Sequence, residues 1–254
     1  MIFLKEKVIL ISSILLTAFI FCSQVHAESS PYAISQYKPV LNQVKLQAPT
    51  SVDLINQGDF LGKYNKYFYI DKATGWMSFT VTGDHHRSEL RQISDWKTSD
   101  LDYSHQMIGQ AVVYKPKEGK VNEITFMQIH DVTDNKNSIN KPLLRLVWLR
   151  SRHGIKNHYW AVVKEDACRT CKNYMKVDLG GHSISPIKFD VNVVNNLLTL
   201  TVNGKIVPSL NKYNISYWAG LRSYFKSGVY NQSPGTATVK FKSLDFYKNK
   251  IIKN

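Results

Sequence analysis

The run Leu198-Thr199-Leu200-Thr201-Val202, the pair Asn203-Gly204 and the run Lys205-Ile206-Val207 constrain this chain more than any other stretch. Successive side chains of a strand point to opposite faces, so apolar and polar residues taking turns describe a strand with one buried side. Asn-Gly between two such runs is a hairpin signal, because both turn residues must accept positive φ. The same period of two returns over residues 122–130, 143–150, 158–164 and 174–179. It returns once more over residues 239–246, with an irregularity at Ser243-Leu244. A sustained helical period is rare; one helix is expected over residues 35–44, weakened by Pro39. Many short strands between polar turns predict an all-β fold, an antiparallel sandwich or barrel. Residues 131–141 are polar and rich in Asn, the composition of a surface loop beside a strand.

The first 27 residues do not follow this pattern. Lys5 and Lys7 precede an apolar run over residues 8–21, and Val25-His26-Ala27 offers a cleavage site before Glu28. The run has 14 residues, too few to cross a bilayer that needs about 20. Cys22 follows bulky Phe21, which argues against a lipid anchor. The expected organisation is therefore a signal peptide over residues 1–27 and one exported domain over residues 28–254. No membrane span is expected in the mature part, and a monomer is expected. Removing Lys5, Glu6 and Lys7 takes the formal charge from +14 to +13, so the excess of base belongs to the mature chain. Such a charge suits an anionic partner: an acidic polysaccharide, a nucleic acid or a membrane surface. Only Cys168 and Cys171 remain after cleavage, and in an exported chain that spacing reads as a disulfide stapling a loop. A redox pair is the competing reading. No second pair completes a zinc site, and no Ca²⁺-loop spacing occurs.

Three segments carry an apolar side and a chemically loaded side. In Arg87-Ser88-Glu89-Leu90-Arg91 the odd positions share one face while Leu90 points to the core. In the strand ending Met127-Gln128-Ile129-His130, Met127 and Ile129 can be buried while Gln128 and His130 share the other face. In the segment from Tyr224 to Gln232, Phe225 and Val229 point inward and Tyr224, Lys226, Tyr230 and Gln232 face the opposite way. Each segment alone has a plain explanation: a surface ion-pair ladder, an exposed histidine, a solvated sheet face. As neighbours they would build a groove of Arg, Gln, His, Lys and Tyr.

The order and spelling of these blocks, Arg-Ser-Glu-Leu-Arg, Gln-Ile-His and Tyr-Phe-Lys-Ser-Gly-Val-Tyr-Asn-Gln, resemble polysaccharide lyase family 7, the large alginate lyase family. The nine-residue third block is highly specific, with Ser227 in place of the commoner Ala. The resemblance implies a β-jelly roll sandwich of two antiparallel sheets with a concave substrate groove, and cleavage of a uronate polymer by β-elimination without a cofactor. Elimination removes the C5 proton and expels the C4 oxygen, so the neighbouring carboxylate must be neutralised. The resemblance gives that task to Arg87 and Gln128, and makes His130 and Tyr230 the acid–base pair. A tyrosine can donate to the leaving oxygen, or accept a proton as a phenolate lowered by nearby Arg and Lys. Arg91, Lys226, Gln232 and Tyr224 become candidates for neighbouring sugars, with packing the stronger reading for Tyr224. Glu89 is expected to orient the two arginines. The spelling Gln-Ile-His implies guluronate-containing or mixed blocks as substrate. Rival readings are a lyase for another polyuronate such as glucuronan and a non-catalytic polysaccharide-binding module. A nucleic-acid partner is not expected, since no recognition motif for one occurs. Hydrolysis would need a second suitably spaced carboxylate beside Glu89.

Overall fold

The computed structural model describes residues 29–114, 120–133 and 138–252. The signal peptide expected over residues 1–27 lies outside them. In chain order the first strands are β1 (Val44–Gln47), β2 (Asp53–Ile55), β3 (Phe68–Ile70), β4 (Met77–Thr82), β5 (Arg87–Gln92) and β6 (Trp96–Lys97). Next come β7 (Tyr103–Tyr114), β8 (Glu123–Asp131), β9 (Pro142–Arg152), β10 (Ile155–Lys164) and β11 (Tyr174–Gly181). The last are β12 (Ile187–Val194), β13 (Leu197–Val202), β14 (Lys205–Ile206), β15 (Tyr213–Asn214), β16 (Arg222–Asn231) and β17 (Thr236–Lys250).

Among the described residues these strands form two antiparallel sheets: the alternation left sandwich or barrel open, and the outcome is the jelly-roll sandwich that the family resemblance implied. One sheet runs β11-β10-β9-β8-β16-β5-β1-β2, with β6 on β16. The other runs β14-β13-β12-β7-β17-β4-β3, with β15 on β13. The inner faces meet in one core in which Phe79 packs on Phe241, Phe126 on Phe189 and Tyr159, and Phe225 on Trp96 and Phe246. Each such side chain contributes about 1.5–3 kcal/mol by leaving water. Asn203 and Gly204 adopt φ of 49° and 79°, the turn their sequence requires between β13 and β14. The irregularity at Ser243-Leu244 is a bulge: the register of β17 on β7 shifts between Phe241 and Ser243.

The expected helix is shorter than its sequence pattern. Ser35–Tyr37 form a 3₁₀ turn and Lys38–Leu41 a single α-helical turn. Pro39 sits in the first turn, where a missing N–H costs nothing, so it starts the helix instead of breaking it. The helix stops because Val44 already pairs with Gln92 of β5. Among the described residues no helix is long and apolar enough to cross a membrane.

Two backbone features prepare the groove face. The register of β8 on β9 shifts between Thr125 and Met127, so Phe126 and Met127 both turn to the core while Thr125 and Gln128 face outward. Strict alternation would have set Phe126 beside Gln128. Gly228 has φ of 146°, and a Cβ there would lie 2.2 Å from the Ser88 carbonyl oxygen. Only glycine lets β16 approach β5 this closely.

Candidate active site

β8, β16 and β5 lie side by side, and their register sets the site. Tyr224 pairs with His130, Lys226 with both Gln128 and Arg91, and Tyr230 with both Thr125 and Arg87. Cross-strand partners lie about 5 Å apart, so three segments distant in sequence converge on one face. The Arg87 guanidinium lies 4.6 Å from the centre of the Tyr230 ring, and its buried Nε has no protein partner. His130 stacks on Tyr224 with ring centres 5.6 Å apart, and Arg91 covers the Tyr224 ring at 4.1 Å.

Beneath these groups sits a buried polar layer. Glu89 is fully buried; Lys226 is 1% exposed and approaches it to 2.8 Å. Gln128 Nε2 donates to Glu89 Oε1, and Arg87 stands 3.6 Å from the same carboxylate. Burial alone would raise the Glu89 carboxyl, but Lys226 and Arg87 outweigh it and hold the group below the ordinary carboxylate range. Burial, with help from Arg87 and Arg91, pushes the Lys226 ammonium down to about 8 against the opposing pull of Glu89.

The two candidate proton carriers differ in state. His130 Nδ1 lies 2.8 Å from the Asp131 carbonyl oxygen. A carbonyl can only accept, so in neutral His130 this nitrogen carries the proton and Nε2 keeps the lone pair. Burial and the charge of Lys226 push the imidazole down to about 4, leaving it neutral at neutral pH. Tyr230 moves the opposite way: burial raises its phenol despite the pull of Arg87. The phenolate lowered by Arg and Lys that the sequence suggested is therefore corrected, because desolvation outweighs the cations. The site offers a free base and a protonated acid.

Arg87, Gln128, His130, Tyr230 and Gln232 line one cavity of about 330 Å³. A hollow of about 640 Å³ elsewhere, lined by Leu54, Asp59, Lys63 and Tyr64 among others, carries no histidine or arginine. The alginate lyase family model matches residues 40–252, which contain all three blocks. The chain belongs to the alginate lyase family, polysaccharide lyase family 7. It is 33% identical over 218 residues to an alginate lyase of Photobacterium sp. (strain ATCC 43367), covering 75% of each chain. The solved alginate lyase AlyC3 in complex with dimannuronate superposes with a TM-score of 0.80 at 28% identity, over 91% of this chain and 98% of that one. Alginate lyase A1-II', a family 7 member, superposes at 0.67 and 22% identity over 85% and 99%, a likeness of fold.

Membership of the family does not place every expected residue on the cavity wall. Lys226, expected to reach neighbouring sugars, is corrected to a buried counter-ion, since its ammonium is sealed against Glu89. Tyr224 is 5% exposed between Arg91 and His130, so it positions those groups and offers sugar little surface. Glu89 does not orient both arginines: it pairs with Lys226 and Arg87, while Arg91 lies over Tyr224. Cys168 and Cys171 form a disulfide. Asn140, Lys141, Pro142, Arg145 and Tyr174 also line the cavity and were not singled out in sequence. Arg145 faces Gln128 across the sheet, donates to Gln232 and pairs with Glu123 at 2.6 Å. Its signal was there to find: a lone cation inside the apolar run Leu143-Leu144-Arg145-Leu146-Val147. Asn140 and Lys141 are brought in because Asp131 accepts from Ser138 Oγ, Ile139 N and Asn140 N, which ties residues 138–140 to the end of β8.

Proposed function

We propose that this family member is exported and cleaves alginate by β-elimination, with guluronate-containing or mixed blocks preferred. The observation that carries the mechanism is the pairing of neutral His130, lone pair on Nε2, with protonated Tyr230 beside Arg87 in one cavity. Arg87 and Gln128 neutralise the uronate carboxylate, which makes the C5 proton removable and holds the charge that develops on the enolate. His130 Nε2 takes that proton and the Tyr230 hydroxyl gives one to the leaving C4 oxygen. The products then carry an unsaturated uronate at the non-reducing end.

Guluronate supports this division of labour, because its C5 proton and leaving oxygen lie on opposite faces and need two groups. Mannuronate presents both on one side, where a single tyrosine would have to accept and donate in turn, and a raised Tyr230 phenol is poorly prepared to accept. The dimannuronate bound by AlyC3 favours a mannuronate reading instead. Two measurements decide. Absorbance near the conjugated double bond must rise when the protein meets alginate, and stay flat if it only binds or hydrolyses. Initial rates on separated block polymers must favour polyguluronate or mixed blocks; a clear preference for polymannuronate would reverse the assignment. Ile129 is fully buried opposite Phe225, so Ile129→Val acts only by shifting Gln128 and His130, and is expected to lower the guluronate-to-mannuronate rate ratio.

A further inference from the structure

The loop between β10 and β11 holds a second cluster of reactive groups, apart from the two proton carriers. Cys168 and Cys171 are bridged at a sequence separation of three, and both are only partly buried. Their sulfurs are not alike. Cys168 Sγ accepts from the Cys171 amide at 3.2 Å, and Thr170 Oγ1 lies 3.7 Å from it. A disulfide sulfur carries no hydrogen, so the threonine hydroxyl is the donor. Among the described residues no donor reaches Cys171 Sγ. Charge is therefore stabilised on one sulfur of the two. Arg169 and Lys172, both exposed, add positive potential on either side. Under the loop lies Lys164, fully buried at the end of β10. Its ammonium donates to the Cys171 carbonyl oxygen at 2.8 Å and pairs with Asp166 at 2.8 Å. Asp166 also accepts from Asn173 Nδ2 and the Cys168 amide, and its carboxylate lies within 4.8 Å of both sulfurs. Both hydrogen-bonding partners of this buried charge thus belong to the loop that the disulfide closes.

We propose that Cys168–Cys171 is a redox switch: a disulfide that thiols open and close in the folded protein, releasing Lys164 and loosening the hairpin of β10 and β11. An external thiolate attacks Cys171 Sγ. The bond between the two cysteine sulfurs breaks, and its electron pair leaves on Cys168, where the amide and the hydroxyl hold it. A second thiolate then attacks the reductant's own sulfur in the mixed disulfide and releases Cys171. The protein gains two electrons, the reductant is oxidised to its disulfide, and the protons of its two thiols pass to the cysteines through solvent. The loop is short, so closing it removes little entropy from the unfolded chain, and opening it leaves the fold standing. The local effect is larger. A thiolate on Cys168 faces the Asp166 carboxylate, and their repulsion draws the loop away from an ammonium that is costly to leave buried without partners. β11 is the outermost strand of the groove sheet, so the loosening reaches the edge of the cavity. Control of activity by this switch rests on the lyase reading above; the exchange chemistry does not.

The test uses the folded wild type in mixtures of reduced and oxidised glutathione, a range over which structural disulfides stay closed. Alkylation followed by peptide mapping is expected to find Cys168 and Cys171 both reactive at the reducing end, without denaturant. Brief exposure should leave glutathione on Cys171 and not on Cys168. Amide hydrogen exchange over residues 165–174 should rise on reduction, and kcat/KM on alginate should fall about threefold and recover on reoxidation. Cys168→Ser with Cys171→Ser should stay at the lower level in every mixture. At pH 7 the thiol of Cys168 in Cys171→Ser should be alkylated at least about tenfold faster than that of Cys171 in Cys168→Ser. Thiols that appear only after denaturation overturn the proposal. So does a reduced protein with unchanged hydrogen exchange and full kcat/KM. If exchange opens the loop reversibly but the wild type never raises the ultraviolet absorbance of alginate, the lyase reading fails and the switch stands.

Discussion

Replacing Lys226 by Met distinguishes a buried counter-ion from a sugar-binding lysine. The side chain is 1% exposed and its ammonium lies 2.8 Å from fully buried Glu89. Removing one member of a buried pair typically costs 3–5 kcal/mol, because the survivor is left charged without its partner. Arg87 remains 3.6 Å from Glu89 and Gln128 still donates to it, so the lower end applies, about 3 kcal/mol. For a domain of this size that corresponds to a fall in melting temperature of roughly 6–12 °C. The assay is thermal unfolding followed by circular dichroism at pH 7, alongside kcat and KM on alginate. Glu89→Gln combined with Lys226→Met should recover much of the loss, since neither charge then stays buried alone. A lysine acting on the sugar would give the reverse pattern, a raised KM at an unchanged melting temperature. A shift below about 2 °C for Lys226→Met would refute the buried-pair reasoning.

Three further outcomes are expected. Tyr230→Phe should keep the fold and bind alginate while losing at least about a hundredfold in kcat, the usual scale for a general acid; near-wild-type turnover of the folded variant would remove Tyr230 from the mechanism. Arg87→Ala should lower kcat/KM at least about a hundredfold, whereas Lys250→Ala, on the exposed end of β17, should change it less than twofold; equal losses would mean that diffuse charge matters and the preorganised site does not. For pH, the proposed mechanism uses His130 as base only when it is neutral, and its folded value is pushed down to about 4 from 6.5. The acid limb of kcat/KM, which reports the free enzyme, should therefore fall near pH 4, and a limb near 6.5 would show that the imidazole is not held in this environment.

The fold was legible because its signals are local. The period of two in residues 198–202 and the Asn203-Gly204 turn need no knowledge of partners, and even the bulge in β17 left a trace at Ser243-Leu244. The loaded faces of β5, β8 and β16 were legible for the same reason. Depth was not. Alternation assigns a side chain to a face, but cannot say whether that face is open at a given position. Lys226 and Arg145 are both groove-side cations that flank Gln128 in one cross-strand row, yet one lies sealed on a buried carboxylate and the other lines the cavity. The difference comes from what β5 places beside β16, and that register is a long-range property. Tyr174 was missed for a related reason: its strand was expected, but the succession of β8, β9, β10 and β11 in one sheet, which sets Tyr174 on the cavity that holds His130, leaves no mark in residues 174–179.

The buried Glu89 resolves an apparent contradiction in the site. A groove that binds a polyanion gathers cations, and before substrate arrives those cations repel one another. Arg87, Lys226 and Arg91 lie on adjacent strands, with Lys226 directly opposite Arg91. A free carboxylate at the surface would relieve that repulsion but would also turn the substrate away. Placing the carboxylate underneath meets both demands. Lys226 neutralises Glu89 within the protein, and the ionised carboxylate fixes the Gln128 amide by accepting from Nε2. Arg87 is held 3.6 Å away, close enough to be oriented yet with its Nε unsatisfied. The two groups assigned to the substrate carboxylate are thus aimed by a carboxylate of the protein's own, and the net charge left facing the cavity stays positive. Glu89→Gln should therefore impair kcat more than KM: the amide can still hydrogen-bond, but it neither fixes the Gln128 orientation nor balances the buried ammonium.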